Sequence, residues 1–454
     1  MNAVPAVAAD TLPSQPDKGF VEHLLAPVAD VRRGETTGVL LMTLTMFLML
    51  GGYYMLKTAR ESFILSEGGA EVKSYASAAQ ALLLLVLVPA YGALATRVNR
   101  IQLVQWVTVF FASNLVLFLV AVSGGLRIGI VYFIWLGIFN VMVIAQFWAF
   151  AADLYTEEQG KRLFPLIGIG SSLGAWIGAV RAGNVMEASG PVRLLAAAAV
   201  ILIVCVFLMR LADHATSRTS KAATEKASAK LADGPSGFKM IVTNRYLFLI
   251  AALVVLLNVV NTSGEYLFGR YVVSAAQTAY GAGPASEAAR QRFIGQVYGS
   301  YYSYINLTGF LLQMFVVSRV IRWVGVGRSL FIHPIVALSS YLLMLRAPSL
   351  EAVRALKIAD NSINYSLGNT AIQSLWLPTS RETKYKAKQA VDSFCMRAGD
   401  VLQAAIVYTG ELTGLTVSGF AALNVLFGIC WLAVVTALRD RLRARAQQTG
   451  GAEL

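Results

Sequence analysis

The stretch VLLMTLTMFLMLGGYYML, from Val39 to Leu56, contains no charged residue. A helix needs roughly 17–25 apolar residues to cross the hydrocarbon of a bilayer, so this stretch is long enough to span it. Lipid offers no hydrogen bonds to peptide groups, whereas a helix satisfies them within one segment. The stretch therefore predicts a transmembrane helix.

The same pattern recurs along the chain. Further runs without Asp, Glu, Lys or Arg are Ser74–Thr96, Ile101–Leu126, Ile128–Ala152, Leu163–Val180, Leu194–Met209, Tyr246–Gly264, Phe293–Ser318, Ser329–Leu345, Asn361–Ser380 and Leu412–Leu438. One more run, Gln389–Gly410, is apolar apart from three charged residues. Only 14% of the 454 residues are charged, against roughly 25% in soluble domains. We therefore predict an all-α polytopic membrane protein with about twelve transmembrane helices.

The longest polar interruption divides these helices into two sets of six. It is rich in Ala, Ser and Lys and contains the turn-forming sequence Gly-Pro-Ser-Gly. The predicted parts are an N-terminal tail (1–36), a six-helix half (37–213), a basic linker (214–243), a second six-helix half (244–438) and a C-terminal tail (439–454). Two six-helix halves packed around a site at mid-membrane are the layout of the major facilitator superfamily.

The net charge of +13 follows the predicted topology. With the N-terminus in the cytoplasm and alternating helices, most Lys and Arg residues lie in cytoplasmic segments, as the positive-inside rule requires. Both tails and the linker are then cytoplasmic. No basic stripe interleaved with aromatic residues occurs, so we expect the lipid bilayer and no nucleic acid as a partner.

Charged residues follow the first apolar stretch directly. Lys57, Arg60 and Glu61 are three and four residues apart, so they share one helical face with a net positive charge. Arg grips phosphate or carboxylate with two parallel hydrogen bonds, and Lys acts as a point charge. Ionisable residues at membrane depth are functional candidates, so we expect these three to bind an anionic solute. The alternative is that they lie at the outer headgroups.

Polar residues also mark the seventh and tenth predicted helices. Asn258, Asn261 and Glu265 lie on one face of the seventh, and Asn361 and Asn364 follow in the tenth. We expect these side chains to contribute to substrate binding. Glu265 has two candidate roles, as a proton- or ion-coupling group or as the partner of a cation in the first helix.

The gating and coupling candidates are acids near basic residues. Asp360 follows Lys357 at the start of the tenth helix, and the eleventh contains Asp392, Arg397 and Asp400. Asp392 and Asp400 are eight residues apart, which places them close to one face, and Arg397 is within reach of Asp400. These groups are candidates for proton coupling or for a salt-bridge network that closes the cytoplasmic gate.

The fifth predicted helix contains Gly170, Gly174 and Gly178. This four-residue spacing of small residues favours close helix packing. Arg181 follows one turn later. It is a candidate substrate contact near the outer end of the helix, or an anchor at the membrane interface.

The loop after the second predicted helix is similar to the major facilitator loop signature. Gly92, Leu94, Arg97 and Arg100 match it, while Thr96 replaces the acid of the signature. The resemblance implies that Arg97 and Arg100 take part in gating at the cytoplasmic face. An ordinary basic inside loop is the alternative.

Three longer segments resemble the ATP/ADP antiporter (nucleotide transporter) family of plastids and intracellular bacteria, and still more its uncharacterised relatives in free-living bacteria. They are 53–62, 147–168 and 364–399. The resemblance implies a transporter in the bacterial inner membrane and adds Asp153, within the second segment, to the gating candidates. The exchangers of that family have a Lys-Glu pair in the tenth helix where this chain has Ile372-Gln373. The resemblance therefore supports the fold and an anionic solute more strongly than it supports nucleotide as the solute.

These features predict a secondary active transporter of an anionic solute, with nucleotide as one candidate, that works by alternating access as a monomer. Alternatives are a proton-coupled carrier of an unrelated metabolite or drug and a non-transporting membrane scaffold or sensor. The three histidines are scattered. With no catalytic constellation, metal-ligand spacing or phosphate-binding loop, we expect no enzyme activity and no cofactor.

Overall fold

The computed structural model describes residues 20–26, 29–32, 34–95, 100–217, 236–346 and 348–448. Every regular element in this part of the chain is a helix. The predicted all-α fold is therefore confirmed.

The N-terminal half consists of six long helices. Thr36–Ala95 is one helical run that breaks at Gly69, where φ is 77°, so α1 covers 36–68 and α2 covers 70–95. Glycine adopts a positive φ without steric penalty, which permits this turn. The remaining helices are α3 (Arg100–Ser123), α4 (Gly129–Leu154), α5 (Glu157–Ser189) and α6 (Pro191–Ser217).

The C-terminal half follows a short helix, Gly237–Thr243. Its long helices are α7 (Arg245–Tyr280), α8 (287–324), α9 (Val326–Met344), α10 (350–374), α11 (381–412) and α12 (Val417–Gln448). Five-residue π segments interrupt α8, α10 and α11 at Gln313–Val317, Asn364–Gly368 and Val391–Cys395. Such segments are frequent at functional sites.

Nine helical stretches among the described residues are long and apolar enough to cross a bilayer. The first of them contains both α1 and α2, and the more polar α10 and α11 complete the twelve-helix fold. Two ends differ from the predicted ones, because α1 continues past Leu56 to residue 68 and α12 continues past 438 to Gln448. Within the predicted linker, 218–235 lie outside the described residues.

Helix α5 packs closely on α1 through its glycines. A Cβ atom at Gly170 would lie 2.7 Å from the Thr43 carbonyl oxygen, and one at Gly178 would lie 2.5 Å from Gly51 Cα. Both distances are shorter than van der Waals contact. The glycine spacing therefore allows close packing of the two helices, as predicted, because a side chain larger than that of glycine would not fit between α5 and α1.

Replacing Gly178 by valine is expected to destabilise the N-terminal half by about 3 kcal/mol or more, because the side chain separates α1 from α5. Unfolding of the purified protein in detergent, followed by tryptophan fluorescence, measures the effect. Gly168→Val is the matched control, since a Cβ atom there meets no atom within 4 Å. Equal losses of stability in the two variants would contradict the packing argument.

The two halves contact each other mainly on one side of the molecule. We call the side with the connection between α6 and α7 the linker face, and the other side the opposite face. Contacts between the halves cluster near the α1–α2 turn, at the opposite face: Ser62–Gln291, Glu71–Arg270, Ser74–Gln403, Tyr75–Tyr408 and Gly183–Gly299. We infer that this conformation is closed at the opposite face.

Candidate functional site

A cavity of about 240 Å³ lies between the two halves. Helices α1, α2 and α4 line one side of it, and α7, α8, α10 and α11 line the other. The predicted functional residues that line this central cavity are Lys57, Arg60, Asn261, Glu265, Arg397 and Asp400. Residues from both halves, far apart in sequence, therefore meet at one site.

Glu61 is completely buried beside the central cavity. One of its oxygens accepts hydrogen bonds from Arg60 and, at 3.1 Å, from the Tyr302 hydroxyl group. Lys73 Nζ lies 2.7 Å from the other oxygen. Two cations thus compensate the charge of the buried carboxylate. Without such partners, burying this charge would cost several kcal/mol. Of the two positions predicted for the charges of α1, the structure shows the one in the protein interior.

Lys73 on α2 connects the two halves electrostatically. Its Nζ atom, bound to Glu61, also lies 4.0 Å from Glu265 of α7. Glu265 accepts hydrogen bonds from the Tyr301 hydroxyl group at 2.7 Å and from Asn361 Nδ2 at 2.8 Å. The cation of the other half within 4.0 Å of Glu265 is therefore Lys73 on α2, and the two roles expected of Glu265 stay predictions.

Lys57 differs from the other cations because no carboxylate lies within 4.0 Å of it among the described residues. Its Nζ atom lies 4.2 Å from the centroid of the Tyr302 ring and 5.2 Å from that of Tyr54. Arg60 also rests on an aromatic ring, 4.4 Å from the centroid of Phe133. Cation–π contacts stabilise an ammonium group without neutralising it. Lys57 is therefore available to an anion.

Asp400 is buried near the end of the cavity closer to the linker face. It accepts a hydrogen bond from Asn258 at 2.9 Å, and Arg397 lies 3.5 Å away. Asp392 does not join this group. It pairs with Lys388 at 2.8 Å, and 43% of its side chain is exposed. Asp392 lies in the π segment Val391–Cys395, and the expectation that it shares a face with Asp400 stays a prediction.

Asp360 lies behind the cavity, in a cluster within the C-terminal half. Its carboxylate is 2.8 Å from Lys357 Nζ and 3.2 Å from His333 Nε2. Lys357 is fully buried, and its Nζ atom lies 3.9 Å from Glu265. A chain of ionic contacts therefore leads from His333 to the cavity wall.

Other predicted residues lie elsewhere. Arg181 is exposed on α5 and does not line the central cavity. Asn364 is the first residue of the π segment of α10 and does not line the cavity either. Asp153 is exposed near the end of α4 at the linker face. Arg97 and the side chain of Arg100 lie outside the described residues. The binding and gating roles expected of these five residues stay predictions.

Sequence reasoning missed residues whose partners are distant in sequence. Lys73 was passed over because it directly precedes an uncharged run, in the position of a loop residue. Lys357 was seen only as the neighbour of Asp360. Tyr301 and Tyr302 lie in an aromatic-rich run of α8 that reads as ordinary membrane sequence. The sequence signal that could have identified Lys73 is its position one turn after Gly69, where the helix breaks.

Part of the segment 147–168 has a structural role. Thr156 and Gln159 form a reciprocal capping box at the start of α5. Arg162 then contacts Glu35 at 3.0 Å, which fixes the beginning of α1 against α5 at the linker face. These residues stabilise the fold rather than line the cavity.

No family profile matches this chain. Its curated relatives include proteins named ADP,ATP carrier protein 4 from Rickettsia felis, 24% identical over 301 residues, and from Rickettsia bellii, 25% identical. The first alignment covers 57% of this chain and 56% of the relative, so the chain spans about half the length of the curated relatives it matches. The resemblance to ATP/ADP carriers is confirmed at this level.

The fold is similar to that of solved transporter structures. The nucleoside transporter NupG has a TM-score of 0.62 at 12% identity, with 89% of this chain and 98% of that chain covered. A bacterial homologue of the iron transporter ferroportin, in an inward-facing state, has 0.60 at 15% identity, with 88% and 98% covered. Chains this different in sequence share the fold alone. The chain is therefore a multi-pass membrane protein with the major facilitator fold.

Proposed function

We propose that this protein is a secondary transporter of anionic solutes that binds them in the central cavity. The observation that carries the proposal is Lys57, an ammonium group held over the Tyr302 ring with no carboxylate partner among the described residues. Four cations line the cavity: Lys57, Arg60, Lys73 and Arg397. Three carboxylates lie in or against it: Glu61, Glu265 and Asp400. The balance leaves one positive charge for a bound anion.

Location between the halves supports alternating access. A solute that contacts α1 and α2 on one side and α7, α8 and α11 on the other can bind in states open to either face. The present conformation is closed at the opposite face. With the linker face in the cytoplasm, which the positive-inside rule favours, solute enters this state from the cytoplasm.

Nucleotide is the first solute to test because the curated relatives are named ADP,ATP carriers. The cavity volume of about 240 Å³ lies below the roughly 300–1,000 Å³ of typical small-molecule pockets. The phosphate end of a nucleotide fits beside Lys57 and Arg60, and the remainder then extends toward the linker face. A small phosphorylated or carboxylated solute fits entirely inside.

A thermal-shift screen followed by uptake tests the proposal. Purified protein is heated with ATP, ADP, AMP, inorganic phosphate, sulfate and pyruvate, and labelled forms of the anions that shift unfolding are offered to proteoliposomes. We expect at least one anion to stabilise the protein and to enter the vesicles, and Lys57→Gln to weaken both effects strongly. If no anion stabilises the protein or enters above protein-free vesicles, the proposed function fails and the scaffold alternative gains support.

The same vesicles distinguish exchange from proton coupling. An exchanger requires counter-substrate inside the vesicle and does not respond to a pH gradient. A proton-coupled carrier takes up the anion into empty vesicles and stops when the gradient is collapsed.

A further inference from the structure

A buried cluster of three ionisable side chains lies in the C-terminal half, behind the central cavity. His333 on α9 is 4% exposed, Asp360 on α10 is 2% exposed and Lys357 is fully buried. Asp360 holds the other two, at 3.2 Å from His333 and 2.8 Å from Lys357. Burying ionisable groups at membrane depth costs free energy, so each such group is a candidate for a function.

The hydrogen bond to Asp360 decides which nitrogen of His333 is free. A carboxylate accepts hydrogen bonds, so Nε2 carries the hydrogen and donates it to Asp360. Nδ1 then has a lone pair, and it is a buried atom without a hydrogen-bond partner among the described residues. Such an atom loses the hydrogen bonds it would make in water unless it binds a proton or a water molecule.

A small space of about 10 Å³ adjoins His333. It is close to the minimum that holds one water molecule, roughly 10–15 Å³. Its lining includes Ser329, one turn nearer the linker face on α9, and Trp431, whose ring packs edge-on against the imidazole. The space beside His333 is therefore a place where one water molecule can exchange a proton with the imidazole.

The cluster is connected to the central cavity by Glu265. Lys357 Nζ lies 3.9 Å from Glu265 on one side, and Lys73 lies 4.0 Å from Glu265 on the other. Other titratable or charged groups on the helices that pack here include Tyr341 of α9, whose hydroxyl group donates to the Val260 carbonyl oxygen, and Arg439 of α12, which lies over the ring of Phe331. Charge added at His333 is thus transmitted to the cavity through Asp360, Lys357 and Glu265.

We propose that His333, held by Asp360, is a proton-binding site whose occupancy is coupled to anion binding in the central cavity. A proton from water at the linker face adds to Nδ1, and the cluster gains one positive charge. Asp360 then shares its charge with imidazolium, so Lys357 turns toward Glu265. Glu265 in turn neutralises Lys73 less, and an anion in the cavity is bound more tightly.

The coupling rests on the proposed transport function, whereas the proton site itself does not. For a dianion such as sulfate, binding of anion and proton together balances the one positive charge of the cavity, whereas sulfate alone leaves one negative charge. By reciprocity, an anion in the cavity must raise the proton affinity of His333 by the same factor that the proton raises anion affinity.

The three histidines of the chain make a direct test possible. His23→Gln and His214→Gln leave His333 as the sole histidine, and neither replaced residue lines the cavity or the space beside His333. NMR of the isotope-labelled imidazole in this variant is expected to show that Nδ1 binds a proton as the pH is lowered. Asp360→Asn is expected to weaken this proton binding, because the carboxylate that stabilises the imidazolium is lost. An imidazole that stays in one protonation state from pH 5 to 9 overturns the proton site, whether or not the Asp360 variant folds.

Sulfate, whose charge is constant in this range, tests the coupling. We expect its affinity to rise about tenfold from pH 8 to pH 6 and to rise less over this range in His333→Gln. At constant ionic strength, sulfate is expected to raise the midpoint of the His333 titration in the sole-histidine variant, and Lys57→Gln to abolish that rise. If sulfate binds at the Lys57 site and the midpoint does not move, the coupling is overturned and the proposed function stands. If neither sulfate nor the anions of the screen bind, the proposed function and the coupling fail together, while the titration still decides the proton site.

Discussion

Replacing Lys57 by glutamine is expected to weaken anion binding by about 10- to 100-fold, the range for losing one hydrogen bond to a charged group. Lys57 has no carboxylate partner among the described residues, so its removal leaves no buried acid uncompensated. The loss should therefore appear in affinity and leave the stability of the protein without ligand almost unchanged. Isothermal titration with the anion that gives the largest thermal shift measures it.

Lys239→Gln is the matched control for this prediction. Lys239 is exposed on the short helix before α7 and outside the central cavity. The same loss of charge there should leave anion affinity unchanged. Equal weakening by the two substitutions would mean that net charge, and not the position of Lys57, determines binding.

Replacing Glu61 by glutamine is expected to destabilise the protein by about 3–5 kcal/mol, the range for removing one partner of a buried ion pair. Its side chain is completely buried and compensates both Arg60 and Lys73. Without the carboxylate these cations stay in a low-dielectric interior with no negative partner at this position. Chemical unfolding in detergent measures the change.

Two further variants separate this effect from a general loss of charge. Glu382→Gln removes an acid that pairs with Lys386 and whose side chain is 43% exposed. We expect this change to lower the free energy of unfolding by less than about 1 kcal/mol. Lys73→Gln combined with Glu61→Gln should destabilise less than the sum of the single changes, because each removes the partner of the other. Additive effects would show that Lys73 and Glu61 do not interact.

The pairing of Glu61 with Lys73 also explains why α1 is longer than the apolar pattern predicts. The uncharged run ends at Leu56, and a helix that met lipid on all sides would end near there. Here the next twelve residues face other helices, and tyrosines and cations from both halves satisfy their charges. A hydropathy pattern measures exposure to lipid, and it cannot register charges that the fold itself compensates.

Local properties of the chain determine its membrane helices, its two halves and the close packing of α5 on α1. Apolar runs, their lengths and the spacing of glycine act within one segment, so they are readable without knowing the neighbours. Sequence also identified Lys57, Arg60 and Glu265 as residues worth attention, because any charge at membrane depth needs a partner or a function.

Only the tertiary structure decided which of these charges meet. Glu61 is compensated by Lys73 from the next helix and by Tyr302 from the other half, while Lys57 lines the cavity with no carboxylate within 4.0 Å among the described residues. Within α11, Asp392 pairs with Lys388, whereas Asp400 is buried and accepts a hydrogen bond from Asn258. Partner choice depends on helix rotation and on contacts between residues up to hundreds of positions apart, and neither quantity is encoded in the periodicity of a single segment.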